Sequence, residues 1–170
     1  MEAMTADEVK TLLGLQPHPR EGGWYVRTWE SPDHIAAANF ADGRYDSARR
    51  TSTAIYYLLE PGTFSEMHVL QSDEVFHHYL GGTVEMLQLF ENGSTQVTLL
   101  GKDIVAGEKP QHVVPRGVWQ GSRLRSGEWA LLGCTVSPGF EFEDYSDAGA
   151  DELVAKWPGE AERIRRLTNR

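Results

Sequence analysis

The chain has 170 residues, with 25 Asp and Glu against 16 Lys and Arg, a formal charge of -9, and 40% hydrophobic residues. That length and apolar content suit one globular domain and exclude a disordered acidic tail. The acidic surplus argues against a nucleic-acid polymer as partner, although a local basic pocket on such a surface can still hold a small anion.

The first eight residues, Met-Glu-Ala-Met-Thr-Ala-Asp-Glu, carry acid where a secretory or mitochondrial leader carries Arg or Lys. The most apolar segment, Trp129 to Val136, is far shorter than the roughly 20 residues that a membrane-crossing helix needs. The single cysteine, Cys134, lies inside that segment and has no partner for a disulfide within the chain. A cytoplasmic protein without a membrane partner is the expectation. Cys134 reads as a small buried hydrophobe rather than a nucleophile.

Taken in order, Thr5 or Asp7 can cap a short helix over about 5–14 that Gly14 ends and that buries Val9, Leu12 and Leu13, a lid or brace. Pro17, Pro19, Gly22 and Gly23 then break the pattern before an aromatic strand, Trp24 to Trp29. A polar loop covers about Ser31 to Arg49. Strands are predicted at Thr51 to Leu59, Phe64 to Leu70, Glu74 to Leu80, Thr83 to Phe90 and Thr95 to Leu100. Turn residues punctuate them: Pro61-Gly62, Gln71-Ser72-Asp73, Gly81-Gly82 and Asn92-Gly93-Ser94. The rhythm continues through His112 to Val114, Val118 to Leu124 and Trp129 to Ser137. Helical spacing returns over about 150–168, where Pro158 splits it into two short helices. The body is all-β, and a sandwich, a barrel or a jelly roll all satisfy the periodicity.

The choice among these rests on a constellation: Gly62, His68, Leu70, Glu74 and Gly81, followed by Gly107, Pro115, Gly117 and Gln120. This resembles the paired motifs of the cupin superfamily, in which His-x-His and a Glu stand on two adjacent strands and Pro-x-Gly followed by a His lies across the barrel. The resemblance extends to His18-Pro19, Glu21-Gly22-Gly23, Thr51 to Leu59, Ser72 to His77 and Ser137-Pro138-Gly139-Phe140, and so covers nearly the whole chain. These stretches are similar to a small-cupin family of unassigned function grouped with RmlC-like cupins. The resemblance implies a jelly-roll (double-stranded β-helix) barrel over about 22–143 with short terminal helices, and a homodimer. Trp24 to Trp29 and Thr51 to Leu59 are the apolar strands offered for that two-fold contact.

Alternation along a strand puts His68 and Leu70 on one face, and Glu74, Phe76 and His78 on another. Glu74 and His78 then face the interior, where ionisable groups need partners or a wet cavity, so a polar pocket is expected around His68, Glu74, His78 and Gln120. His77 should face the other way. The pattern departs from that of metal-binding cupins: Leu70 stands at the second His and Gln120 at the last. Two of four ligands are missing and a neutral amide replaces one of them, so no metal and no cofactor is expected.

In metal-free RmlC-like epimerases the comparable His acts as a base on a sugar nucleotide. That resemblance makes His68 the candidate base and Glu74 the carboxylate that fixes its tautomer. The plain alternative is a core histidine hydrogen-bonded to Glu74. The matching acid is not legible, with Tyr57, Tyr79 and Tyr145 equally eligible. His78, Gln120, Tyr57, Arg27 and Arg50 are the candidate ligand-binding residues. For the two arginines a salt bridge is the default, and holding a nucleotide phosphate is the lesser reading. Trp119 should point away from the pocket. The first functional expectation is a metal-independent cupin that binds a nucleotide or nucleotide sugar and epimerises or isomerises it. Its rivals are a non-catalytic ligand-binding or storage-like cupin, and a metal-dependent oxygenase or isomerase.

Overall fold

The structure is a computed structural model that describes residues 4–40 and 42–169. The strands in chain order are β1 (Gln16–Pro17), β2 (Trp24–Glu30), β3 (His34–Ile35), β4 (Arg49–Arg50), β5 (Thr53–Leu59), β6 (Phe64–Leu70) and β7 (Asp73–Gly81). They continue as β8 (Val84–Leu89), β9 (Thr95–Leu100), β10 (Gln111–Val114), β11 (Trp119–Leu124), β12 (Ala130–Ser137) and β13 (Tyr145–Asp147). Three helices flank them: α1 (Ala6–Leu13), α2 (Ala150–Lys156) and α3 (Ala161–Arg166).

A sheet ordered β1-β2-β5-β12-β7-β10 faces one ordered β13-β6-β11-β8-β9. From β5 onward the chain crosses between the sheets at nearly every connection, which gives the expected jelly roll. One end of the space between the sheets is an apolar core of Tyr57, Leu59, Phe76, Met86, Leu132 and their neighbours. The polar site occupies the other end.

Both sheets have covered outer faces. Thr5 and Glu8 form a reciprocal capping box at the start of α1, and Gly14 ends the helix in the left-handed conformation. The helix buries Val9 against Leu58 and Leu131, with Trp24 and Val26 beside them, so it acts as the expected brace. Leu12, predicted to be buried, is instead 74% exposed. On the opposite side Leu153, Trp157, Ile164 and Leu167 of the C-terminal helices pack on Met67, Leu87 and Leu89. Trp119 joins this cluster and points away from the site, as alternation requires.

Three details differ from the sequence expectation. The loop after β2 contains the short pair β3-β4. Sheet pairing extends beyond 22–143 at both ends, since β1 pairs with β2 and β13 pairs with β6. β13 is a short polar strand, Tyr-Ser-Asp, which no period-2 pattern reveals. Within one chain α1 packs against Trp24 and Val26, Tyr57 to Leu59 are buried, and Trp29 is 50% exposed.

Candidate functional site

A β-bulge on β6 precedes His68. On β11, Gln120 faces His68 and Ser122 faces Ser65, so two steps on one strand match three on the other. The displaced backbone donors find partners elsewhere: Glu66 N–H donates to the Glu21 carbonyl at 2.8 Å and Met67 N–H to the Leu167 carbonyl at 2.7 Å. The bulge sends Met67 outward to the terminal helices while Ser65 reaches Glu21 and His68 lines the cavity. Opposite it stands Gly121, where a Cβ would lie 2.6 Å from the Met67 sulfur and 3.2 Å from the Ser65 carbonyl oxygen. A side chain there would require Met67 to move and the Ser65 carbonyl to give by a few tenths of an ångström.

Two histidines line the cavity in opposite tautomers, each fixed by the backbone. His68 Nδ1 lies 2.7 Å from the Glu66 carbonyl, which can only accept, so the neutral ring carries its proton on Nδ1 and presents the Nε2 lone pair. His18 Nδ1 lies 2.8 Å from the Glu21 backbone N–H, which can only donate, so the neutral ring carries its proton on Nε2. Burial, together with nearby His68, holds His18 below the usual histidine range despite the opposing pull of Glu21. His18 Nε2 stands 3.7 Å from the Glu21 carboxylate. One imidazole thus offers an acceptor and the other a donor. The orienting partner of His68 is the Glu66 carbonyl, not Glu74, which corrects both the tautomer-fixing role expected of Glu74 and the plain alternative of a His68–Glu74 hydrogen bond.

Glu74 projects from β7, across from His68. Gln120 Nε2 donates to its carboxylate at 2.7 Å, and Cys134 lines the same cavity. Burial and the charge of Glu21 push its pKa up to about 7, against the opposing effects of His68, Gln120 and Cys134. Cys134 itself is pushed well above the thiol range by burial, with Glu74 and Glu21 adding to it, so it stays a thiol and not a nucleophile.

Tyr145 completes the polar wall. Its ring stacks on His68 with centroids 4.9 Å apart and 16° between planes, and its hydroxyl is buried without a partner. Burial, then Glu21, raises its pKa, so it stays protonated and able to donate. The preceding residue holds it in place: Asp144 takes two hydrogen bonds from Arg49, each 2.8 Å, in a fully buried ion pair. His18 and Glu21 sit on a loop clamped by Tyr57, whose hydroxyl donates to the Gly22 carbonyl at 2.7 Å. Gly22 has φ 97°, and a Cβ there would meet the Phe64 carbonyl oxygen at 2.3 Å.

The inner cavity has about 30 Å³ of free volume, room for about two waters. It shares His18, Arg27, Ile55 and Phe140 with an outer cleft of about 490 Å³ that Tyr25 and Phe142 also line. A compact polar chamber therefore lies behind a larger aromatic mouth.

The candidate residues named from the sequence divide accordingly. His68 and Glu74 line the chamber, Gln120 supports Glu74, and Arg27 stands at the mouth, where it donates to the Phe140 carbonyl at 3.2 Å. Tyr57 shapes the loop rather than lining the chamber. His78 lies elsewhere: it is four residues further along the strand, and its Nε2 sits 2.8 Å from the Gly82 carbonyl at the hairpin end. Arg50 also lies elsewhere, donating to the Ser31 carbonyl at 2.9 Å and pairing with Glu30 at 3.1 Å. Sequence reasoning gave no role to His18 or Glu21, although both fall in stretches that carry the family resemblance, and it could not choose Tyr145 among three tyrosines.

The metal pattern of the cupin superfamily does not fit these residues. Leu70 lines the chamber where a second imidazole is needed, and Gln120 spends its amide N–H on Glu74. Among the described residues no group of three or more His, Cys, Asp and Glu is placed to hold a metal ion. No helix of the described residues is long and apolar enough to cross a membrane.

Comparison with known proteins agrees with the fold. The chain is 32% identical over 143 residues to the uncharacterized protein YML079W of Saccharomyces cerevisiae, covering 79% of this chain and 71% of that one. It superposes on protein SO0799 of Shewanella oneidensis with a TM-score of 0.87 at 30% identity, covering 98% and 99% of the two chains. A hypothetical protein from Leishmania major gives a TM-score of 0.88 at 26% identity, covering 98% and 100%. The family described as Cupin superfamily (DUF985) matches residues 7–148, and the chain belongs to it.

Proposed function

We propose that the chain is a metal-independent proton-transfer isomerase or epimerase for a small polar ligand. The observation that carries this reading is the pair of opposite tautomers on one chamber: His68 presents a lone pair and His18 an N–H. His68 Nε2 takes a proton from a carbon beside a carbonyl. His18 Nε2–H and the unpartnered Tyr145 hydroxyl donate to the oxygen that becomes negative as that proton leaves. Glu74, on the facing sheet with a pKa of about 7, is half protonated near neutrality and returns a proton from the opposite wall.

The ligand presents a compact reacting end to the chamber and its bulk to the outer cleft. A nucleotide sugar whose sugar ring carries a ketone matches this division: Arg27 and the aromatic rings at the mouth suit a phosphate and a base, while the keto sugar, with its acidic C–H beside the carbonyl, turns inward. The direct experiment incubates the protein in D2O with nucleotide sugars and with simple aldoses and ketoses, and follows deuterium entering carbon by NMR. Incorporation that is lost in His68→Asn and Glu74→Gln, with ligand binding retained, is the expected result. If both variants only weaken binding and no substrate exchanges, the non-catalytic binding reading replaces this one.

A homodimer belongs to the same proposal. Met4, Leu12, Tyr79 and Leu80 form an exposed apolar patch beside α1, of the kind that a second copy covers. Sedimentation at micromolar concentration should give a dimer, and a monomer there contradicts it.

A further inference from the structure

Across the Leu70 side chain from the chamber lies a second depression, of about 460 Å³, with Val69, Gln71 and Gly117 also in its lining. Its rim is rich in donors. Arg44 and Arg116 come from separate loops and converge on one carboxylate, that of Asp42. Arg44 Nη1 stands 2.8 and 2.9 Å from its two oxygens and Arg116 Nη1 stands 2.7 Å from Oδ2. Both arginines are anchored independently of Asp42. The Arg44 guanidinium lies over the Phe40 and Tyr45 rings, and the Arg116 backbone N–H donates to Asp73 at 2.8 Å, which fixes the loop that carries its side chain. Arg44 Nε is buried with no partner. The other carboxylate in the lining, Asp144, is committed to Arg49 through two hydrogen bonds.

Two guanidinium groups thus share one partly exposed carboxylate on a chain whose net charge is -9. Exposed pairs of this kind hold weakly. A phosphoryl dianion brings twice the charge of Asp42 and a tetrahedral set of oxygens, so it can address both guanidinium forks at once, and the polar residues Ser146 and Gln71 belong to the same lining. We propose that this depression is a binding site for a phosphoryl group, as inorganic phosphate or a small phosphate monoester, and that Asp42 is its resident stand-in. The site shares only Leu70 with the chamber and does not depend on the acid-base reading.

The test is calorimetric titration with inorganic phosphate, and separately with methyl phosphate, at constant ionic strength. Saturable binding in the millimolar range is expected, weakened at least about tenfold in Arg44→Gln and in Arg116→Gln. Asp42→Asn removes the competitor and should tighten binding about tenfold. Circular dichroism checks that each variant is folded, and Asp42→Asn gives a gain that no misfolded protein can mimic. Arg27→Gln reports on the other cleft: phosphate binding lost there and kept in Arg44→Gln and Arg116→Gln would place the ion at the mouth of the chamber instead. Methyl phosphate binding as well as the free ion points to a monoester, and binding of inorganic phosphate alone points to the free ion. No saturable binding, binding that survives both arginine variants, or binding lost in Arg27→Gln overturns the proposal.

Discussion

Gln120 Nε2–H is aimed at Glu74 Oε2 across 2.7 Å, while the carbonyl oxygen of the same amide is buried without a partner. The amide therefore supports the ionised form of a carboxylate that burial would otherwise keep protonated. This makes the protein's stability depend on pH with a definite sign.

Glu74 has a folded pKa of about 7, above its ordinary value of 4.5. Between those two values the folded chain holds a proton that the unfolded chain has lost, so this group's contribution is fully present below pH 4.5 and is lost as pH rises through about 7. Glu74→Gln cannot titrate. It should melt like the parent at pH 4.5 and be more stable than it above pH 7, by on the order of 3 kcal/mol. Thermal melts across that range check it, and a gap that is constant with pH would contradict it.

The buried Arg49–Asp144 pair ties β4 to the turn that delivers Tyr145. Removing one partner strands a buried charge. Arg49→Met or Asp144→Ala should therefore each cost about 3–5 kcal/mol, whereas replacing both with apolar residues should recover much of that loss. Denaturant titration of the single and double variants measures it. Additive losses in the double variant would show that the pair is not the link.

Metal binding should be recoverable by two substitutions. Leu70 already faces the chamber beside His68, and Gln120 already touches Glu74. Leu70→His with Gln120→His supplies the two missing imidazoles, so the double variant should bind Zn or Ni tightly enough to survive gel filtration while the parent does not. Elemental analysis of both proteins decides the matter. A stoichiometric first-row metal on the untagged parent would contradict the ligand count.

The fold was legible because its signals are local: β-forming runs, turn residues between them, and motif spacings that the family resemblance turned into a jelly roll. His68, Glu74 and Gln120 converge at one site for the same reason, since alternation on β6, β7 and β11 points them inward. What stayed hidden depends on breaks in alternation and on tertiary pairing. The bulge at Met67 places Ser65 and His68 on one side, and a strict period of two denies this. Tyr145 arrives on a three-residue strand held by a distant ion pair. His18 and Glu21 come from a loop whose path is set by Tyr57 and two glycines, a contact between segments far apart in the chain. His78 failed for the opposite reason: alternation gave its face, but distance along the strand removed it from the site.

The central claim is that the backbone fixes the two imidazoles of one chamber in opposite senses, with a proton on His68 Nδ1 and none on His18 Nδ1. Nitrogen-15 NMR of uniformly labelled protein at pH 7.5 measures this directly, because the two ring nitrogens shift apart according to which one carries the proton. The structure predicts that His68 is protonated at Nδ1 and His18 at Nε2. Finding both rings protonated at Nε2, or His18 as an imidazolium at that pH, would contradict the assignment of His68 as acceptor and His18 as donor, and with it the proton-transfer reading.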